Sequence, residues 1–492
     1  MGIYVGLDLG TTVLKVTAID DEGTILGSVN KELPISSPTP EAAEESPEEW
    51  WSTFVSLIKT LSPRFDMAQV RSVTLSGQMH GLITYDKDYR LLRPAMIWAD
   101  KRSTAQVEEL IESVTSKKIY DITGNPLFTG FLLPSLMWLY RNEKELARKI
   151  AHVSCPKDYI CYRFTGALKS EPTDALATSA FDYRRNTWSE DLMKEAGIPL
   201  SIFPDIIPTT SPYGTIHAAA AAETGLPEGI PVYGASDQGM AAMGIGLVNK
   251  GDVMVALSTG GQCLIVADKG QLDPKRRLHT LNHPLDDVGL YMAATLSAGL
   301  SLKWFKANIV NEMDTTYSSF VHGIKDIPLG SDGLFFFPFL SGQRTPYFNP
   351  DLRGAFIGLT LSHTRLHMAR AIMEGVSFSL RACIDVFKEM GLPIKRVLLS
   401  GGGTKNPTWR QILTDVLNVE TVTINIQEHS PFGAALFGKF ALDGFDGLPA
   451  FYDKTIRVSD AIRPLPDQVA AYDSLYRTYT THADYLNGQY RR

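Results

Sequence analysis

Hydrophobic and polar positions alternate from the first residues. In "YVGLDL" Tyr4, Gly6 and Asp8 fall on one side of an extended chain, and Val5, Leu7 and Leu9 on the other, which predicts a strand. Gly10-Thr11-Thr12 then turns the chain and "VLKVTAI" runs back as a second strand. Asp21-Glu22-Gly23 is a further turn signal, and "TILGSV" is a third strand. The outcome is an antiparallel meander with a polar tip between its first two strands. The period then changes. In "SPEEWWSTFVSLIKTL" Trp50, Phe54, Leu57 and Leu61 recur on one helical face. Ser46 is placed to cap that helix, Pro47 suits its first position, and Glu49 completes a capping box. "RSVTLSGQMHGL" reads as a short apolar strand opening into Gly77-Gln78-Met79-His80-Gly81. Strands and helices go on alternating, so the class is α/β.

About half the chain later the opening pattern returns. "VMVALSTGGQCLIVA" is again an apolar strand, a small polar turn (Ser258-Thr259-Gly260-Gly261) and an apolar strand. Two copies of one unit, each opening half the chain, predict a duplicated fold with domains 1–247 and 248–492. A third glycine turn, Ser400-Gly401-Gly402-Gly403, links a strand to a helix that Asn406 caps and Pro407 opens. Further on, "EHSPFGAALFGKFAL" is a helix of small residues opening at Pro431.

Composition narrows the function. The chain has 492 residues, 44% of them hydrophobic and 21% charged, an ordinary globular balance with room for two domains. A net charge of −7 argues against nucleic acid and anionic membranes as partners. No run is long and apolar enough for a spanning helix, and the chain enters a strand at once, without the features of a secretory signal. Cys155, Cys161, Cys263 and Cys383 have neither metal nor disulfide spacing, which suits the reducing cytoplasm.

Several positions carry candidate chemistry. Backbone N–H groups of a tight turn at Gly10, Thr11 and Thr12 form an anion cradle, Lys15 lies on the returning strand, and Asp8 can hold Mg²⁺ through water. The same residues also make an ordinary hairpin; the second copy at Ser258, Thr259, Gly260 and Gly261 tips the balance toward phosphate. Asp237 ends "YGASD" where a strand opens into a helix. It reads either as a cap or as a base that orients and deprotonates a substrate hydroxyl, although a helix N-terminus favours the charged carboxylate and so weakens the base. Gly402 and Gly403 let a nucleotide approach bare backbone, but no Walker A loop is present. Gln78 and His80 are placed to hydrogen-bond hydroxyls, and Trp98, Asp100 and Arg102 add a flat apolar plate and a charged pair, the mixture a sugar needs. His363 and His367 are spaced as zinc ligands could be, yet lack a third ligand, so they read as an ordinary helix face.

Taken together, "GLDLGTT", "SGQMHG", "WADKRS", "PKDYI", "YGASDQ", "SGQRTPY", "GAFIGLTLSHTRLHMARAIMEG" and "SGGGTKNPTWRQ" resemble the FGGY carbohydrate kinases over nearly the whole length. The resemblance implies two ribonuclease H-like domains of the actin/Hsp70 type around a central cleft. It also implies ATP and Mg²⁺, with a small sugar as the other substrate and no membrane or nucleic-acid partner. Asp8 would serve the metal; Gly10 to Thr12, Lys15, Ser258 to Gly261, Gly402, Gly403 and Asn406 the nucleotide. Gln78, Met79, His80, Trp98 and Asp100 would serve the sugar, and Asp237 would be the base. The first half would hold the sugar and the second ATP. His367 falls inside a family signature on a structural helix. The Gln-Met-His-Gly turn looks like that of the members that phosphorylate D-xylulose at O5. Gluconate, ribulose and other polyols stay open as substrates, because Ser135 stands where the family usually has Lys and the second phosphate turn is Ser-Thr-Gly-Gly instead of Gly-Thr-Ser. An ATP-gated binding protein without sugar chemistry is the other alternative, though it leaves the Gly-Gln-Met-His-Gly turn without a job. The oligomeric state is not set by the sequence; a homodimer is the candidate assembly.

Overall fold

The computed structural model describes residues 2–312, 314–424, 429–456 and 458–490. The opening meander forms as its alternation predicts, with strands Ile3–Leu9, Val13–Asp20 and Ile25–Glu32. It continues into one sheet through the parallel strands Val70–Gly77 and Pro231–Ser236, and the short antiparallel edge Gly214–Thr215 closes it. The second half builds the same order. The meander Asp252–Leu257, Gly261–Asp268 and Val288–Thr295 is followed by parallel strands Arg396–Ser400 and Thr421–Ile424 and the antiparallel edge Val458–Ile462. One extra strand, His279–Asn282, is added at its far side. The repeat is therefore one of topology, carried by little sequence identity.

Both faces of the opening strand are buried, which explains why an aspartate there is unusual. Ile3, Val5, Leu7 and Leu9 pack with Trp50, Phe54, Leu57 and Leu61 of the helix Pro47–Leu61. Ser46 caps that helix by accepting from the Glu49 N–H; this half of the capping box is present. Tyr4 faces the other way, into a cluster with Phe432, Ala435 and Leu436. These last residues belong to the small-residue helix, which runs His429–Asp443, so that Pro431 lies inside its first turn instead of opening it.

That helix crosses against the first sheet and against the helix Asp237–Gly244, and glycines set the distance. A Cβ on Gly6 would sit 1.9 Å from the Pro431 carbonyl oxygen, one on Gly433 1.9 Å from that of Met240, and one on Gly244 2.0 Å from that of His429. No side chain fits at such approach. A helix from the second half of the sequence is thus fused to the sheet of the first, and it braces the helix that Asp237 begins.

Candidate active site

The two sharpest carboxylates meet where parallel strands end. In register, Asp8 lies beside Ser76 and Gly77 beside Ser236, so Asp8 and Asp237 stand at the ends of the two strands that flank Val70–Gly77. The Ser76 hydroxyl donates to Asp8 Oδ1 at 2.8 Å, and Lys15 is the cross-strand neighbour of Asp8. Ser236 caps the helix Asp237–Gly244 by accepting from the Gly239 N–H at 3.3 Å. Capping is therefore done by the serine. Burial, and then the negative charge of Asp8, push the Asp237 carboxyl up to about 7, against the Gln238 N–H that donates to it at 2.6 Å. The helix N-terminus was expected to keep this group a weak base; desolvation and a like charge outweigh it.

Beside this pair runs a chain of side-chain hydrogen bonds. Trp98 Nε1–H donates to Thr11 Oγ1 at 2.8 Å, the Thr11 hydroxyl to Gln78 Oε1 at 3.1 Å, and Gln78 Nε2–H to Glu45 Oε2 at 3.0 Å. Both ends of the Gln78 amide are used and the residue is buried, so it supports the turn and does not offer itself to a ligand. The indole of Trp98 remains 48% exposed, which suits an apolar plate. Asp100 is a correction. It is fully buried, and its oxygens accept from the Ala43 N–H and from Arg102, leaving nothing for a sugar. The Met79 side chain is buried, packing with Ala177, Ala242, Leu247 and Leu264 in a core against the second sheet. Glu45 was missed: burial raises its carboxyl to about 7, and its Oε1 has no partner among the described residues.

His80 is held in one orientation. Its backbone adopts φ 77°, a conformation uncommon outside glycine, and its ring stacks on Phe131 at 3.9 Å. Nδ1 lies 2.5 Å from the Ala177 carbonyl oxygen, which can only accept, so Nδ1 carries the proton. Burial pulls the ring down to about 4, and it is neutral near pH 7. Nε2, with no partner among the described residues, then presents a lone pair that suits a hydroxyl donor.

Behind Asp237 lies a buried ionic cluster that the "PKDYI" segment did not betray. Lys157 Nζ is 2.6 Å from Asp158 Oδ1 and 3.5 Å from both Glu171 and Asp174, all of them fully buried. Glycines make room for it: a Cβ on Gly77 would be 2.8 Å from Lys157 Cβ. The Asp174 carboxyl is pushed well up, first by burial, with Asp237 among the charges that contribute. Glu171 ties the cluster to the site, since it accepts from the Thr173 hydroxyl and Thr173 Oγ1 accepts from the Ser236 N–H. Cys155, Asp158 and Asp174 are the one group of possible metal ligands among the described residues, but the Lys157 ammonium already lies against its two carboxyl groups. His367 instead completes a capping box with Thr364, as a structural residue.

The second half supplies a cavity of about 590 Å³, lined among others by Ser258, Thr259, Gly402, Gly403 and Asn406. Gly402 is open, whereas a Cβ on Gly403 would be 2.5 Å from the Leu257 side chain. Gly260 and Gly261 stand apart from the lining. Gly261 is buried as the first residue of its strand, its Cβ position 2.6 Å from Thr295. In the first half Gly10 makes the turn possible, with a Cβ position 2.8 Å from the Val13 oxygen, and Thr12 is exposed. Lys303, Lys405 and Tyr317 also line the cavity and were missed, because no motif marks them.

Comparison with known proteins places the sequence and the fold. The N-terminal domain model of the FGGY family of carbohydrate kinases matches residues 3–244, and its C-terminal domain model residues 255–442. The chain is 33% identical to the xylulose kinase of Bacillus subtilis (strain 168), over 99% of this chain and 98% of that one. The solved xylulose kinase from Rhodospirillum rubrum superposes with a TM-score of 0.94 at 28% identity, covering 100% of both chains. The gluconate kinase from Lactobacillus acidophilus superposes with a TM-score of 0.93 at 25% identity, covering 99% of both.

Proposed function

Because the chain belongs to the FGGY family of carbohydrate kinases and has its duplicated actin/Hsp70-like fold, we propose that it transfers the γ-phosphoryl group of ATP to the O5 hydroxyl of D-xylulose. The relatives named for xylulose, at about a third identity over nearly full length, support this sugar. The feature that carries the site is the placement of Asp8 and Asp237 at the ends of the two strands flanking Val70–Gly77, near enough for the charge of Asp8 to raise the Asp237 carboxyl. One carboxylate faces the phosphate turn and the other the sugar turn.

In this reading Asp237 accepts the proton of the attacking hydroxyl as its oxygen bonds to the γ-phosphorus and the bond to the β-phosphate oxygen breaks. A carboxyl poised near 7 suits a base working at neutral pH. His80 Nε2 accepts from a second hydroxyl, and Trp98 covers an apolar face of the sugar. The N–H groups of Gly10 to Thr12 and of the turn at Ser258 to Gly260 meet the phosphates from opposite halves, and adenosine fills the cavity beside Gly402. A carboxylate buried at 8% exposure with a phosphate turn beside it fits Mg²⁺, which when bound neutralises phosphate charge. The working domains would be 1–247 for sugar and base and 248–492 for nucleotide, with the helix His429–Asp443 as their shared brace. Four buried, unpaired cysteines suit a reducing cytoplasm.

The test is turnover of the purified enzyme on D-xylulose, D-ribulose, gluconate and polyols, read as ADP release. D-Xylulose is expected to give the highest kcat/KM. Faster turnover of gluconate would replace the sugar while keeping the chemistry, and ATP hydrolysis indifferent to every sugar would remove the kinase reading.

A further inference from the structure

The sugar side of the cleft contains a cation that no carboxylate neutralises. Arg102 is matched by Asp100 and Glu44, and Lys157 by three buried acids. Arg344, in "SGQRTPY" of the second half, is half-buried and differs from both. Its guanidinium stands 5.4 Å from the centre of the Phe128 ring and makes no hydrogen bond or ion pair among the described residues. An ion withdrawn from water without a partner costs free energy, which a ligand can recover.

Its surroundings are those of the sugar turn. Phe128 is 5.8 Å from Phe131, the ring on which His80 stacks, and 5.8 Å from the ring of His279. His279 is only 5% exposed, and its buried Nε2 also lacks a partner among the described residues. Three polar groups, from His80, His279 and Arg344, thus converge on an aromatic patch with hydrogen-bonding capacity unused. Burial is the main force that lowers both histidines, and the Arg344 charge adds to it in each case. Asp237 feels burial, Asp8 and the Gln238 N–H, with no contribution from Arg344. Arg344 therefore belongs to the His80 end of the site, away from the carboxylate that would take the proton.

We propose that Arg344, reaching in from the C-terminal half, is a specificity-determining residue that with His279 grips the carbonyl-bearing end of the sugar, opposite the hydroxyl addressed by Asp237. This rests on the reading of the chain as a ketose kinase. A carbonyl oxygen only accepts and a guanidinium only donates, so a ketose presents a matched pair of acceptors (its C2 carbonyl and C1 hydroxyl) to the two N–H groups of the fork. A reduced polyol offers at C2 a tetrahedral hydroxyl whose own proton must be placed elsewhere. Since His80 comes from the first half and Arg344 from the second, a ketose held by both also links the two halves across the cleft.

The experiment compares D-xylulose with xylitol in the parent, Arg344→Gln and Arg344→Lys, with ATP kinetics and thermal unfolding measured on each. In Arg344→Gln the KM for D-xylulose is expected to rise ~10- to 100-fold, the range for losing a hydrogen bond to a charged group. Its kcat should stay within a few-fold, the KM for ATP should not move, and the preference for ketose over polyol should shrink. Arg344→Lys, which keeps the charge and loses the fork, should recover only part of the preference. An unchanged KM for D-xylulose, or equal losses on ketose and polyol, overturns the proposal. If Arg344→Gln does not fold, the preference retained by Arg344→Lys decides, and full retention counts against it. A parent enzyme that ignores D-xylulose but phosphorylates another sugar refutes the substrate reading instead. The same variants on that sugar then decide the role of Arg344.

Discussion

The two halves place the same turn on the same sheet and use it differently. In the first, Asp8 lies beside Ser76 and the next strand end carries Gln78 and His80; in the second, Ala256 lies beside Ser400 and the next strand end carries Gly402 and Gly403. One copy has filled the crevice with side chains and the other has emptied it. A sugar is distinguished by the direction of each hydroxyl and needs fixed donors and acceptors. Phosphates and a flat base need approach to backbone, which any side chain obstructs. In the proposed function the duplicated scaffold would separate specificity from donor binding, and Ala256 of the second half stands where the first has Asp8.

Removing the acid that would take the proton should break this division most severely. Asp237→Asn is expected to lower kcat by ~10²- to 10⁴-fold, the contribution of a general base, while ATP binding measured by calorimetry is preserved. The Asp8→Asn exchange should come next, at roughly 10²-fold in kcat, through lost charge neutralisation at the phosphates. It carries a second signature in pH. The Asp237 carboxyl stands at about 7 and must be ionised to act, so kcat/KM for the sugar should fall as pH drops through that value. The Asp8 charge is one of the two causes that raise it, so in Asp8→Asn the acid limb of the profile should move to lower pH. A limb that stays in place would separate the two carboxylates and damage the whole site.

The glycines of the second half sharpen the contrast with smaller effects. Gly403→Ala drives a methyl into Leu257 and should destabilise the fold by ~1–3 kcal/mol, the usual cost of overpacking, visible in denaturant unfolding. Gly402→Ala meets no atom within 4 Å and should leave unfolding unchanged. Its effect is expected only on the KM for ATP, at ~2- to 5-fold, a fraction of the binding contributed by one backbone contact.

Local pattern was enough for much of this. The meander, the capped helix after Ser46, the helix cap at Asn406 and the repeated glycine turn follow from which residues alternate, cap or tolerate a bend, and each concerns neighbours in sequence. The order of motifs added the family and its cleft. What stayed hidden depends on partners far apart in the chain. Asp100 and Gln78 are chemically fit to bind a sugar, but Arg102, Ala43, Thr11 and Glu45 already occupy them. Lys157 could have been a cation for a substrate, and three buried acids claim it. Arg344 entered only as one residue of the "SGQRTPY" motif, and only folding shows it beside Phe128 with no acid to meet it. Sequence alone determined which side chains could do chemistry and which local elements carry them. The tertiary structure decided which remain unsatisfied, because hydrogen bonds and ion pairs saturate and their partners are chosen by contacts between distant segments.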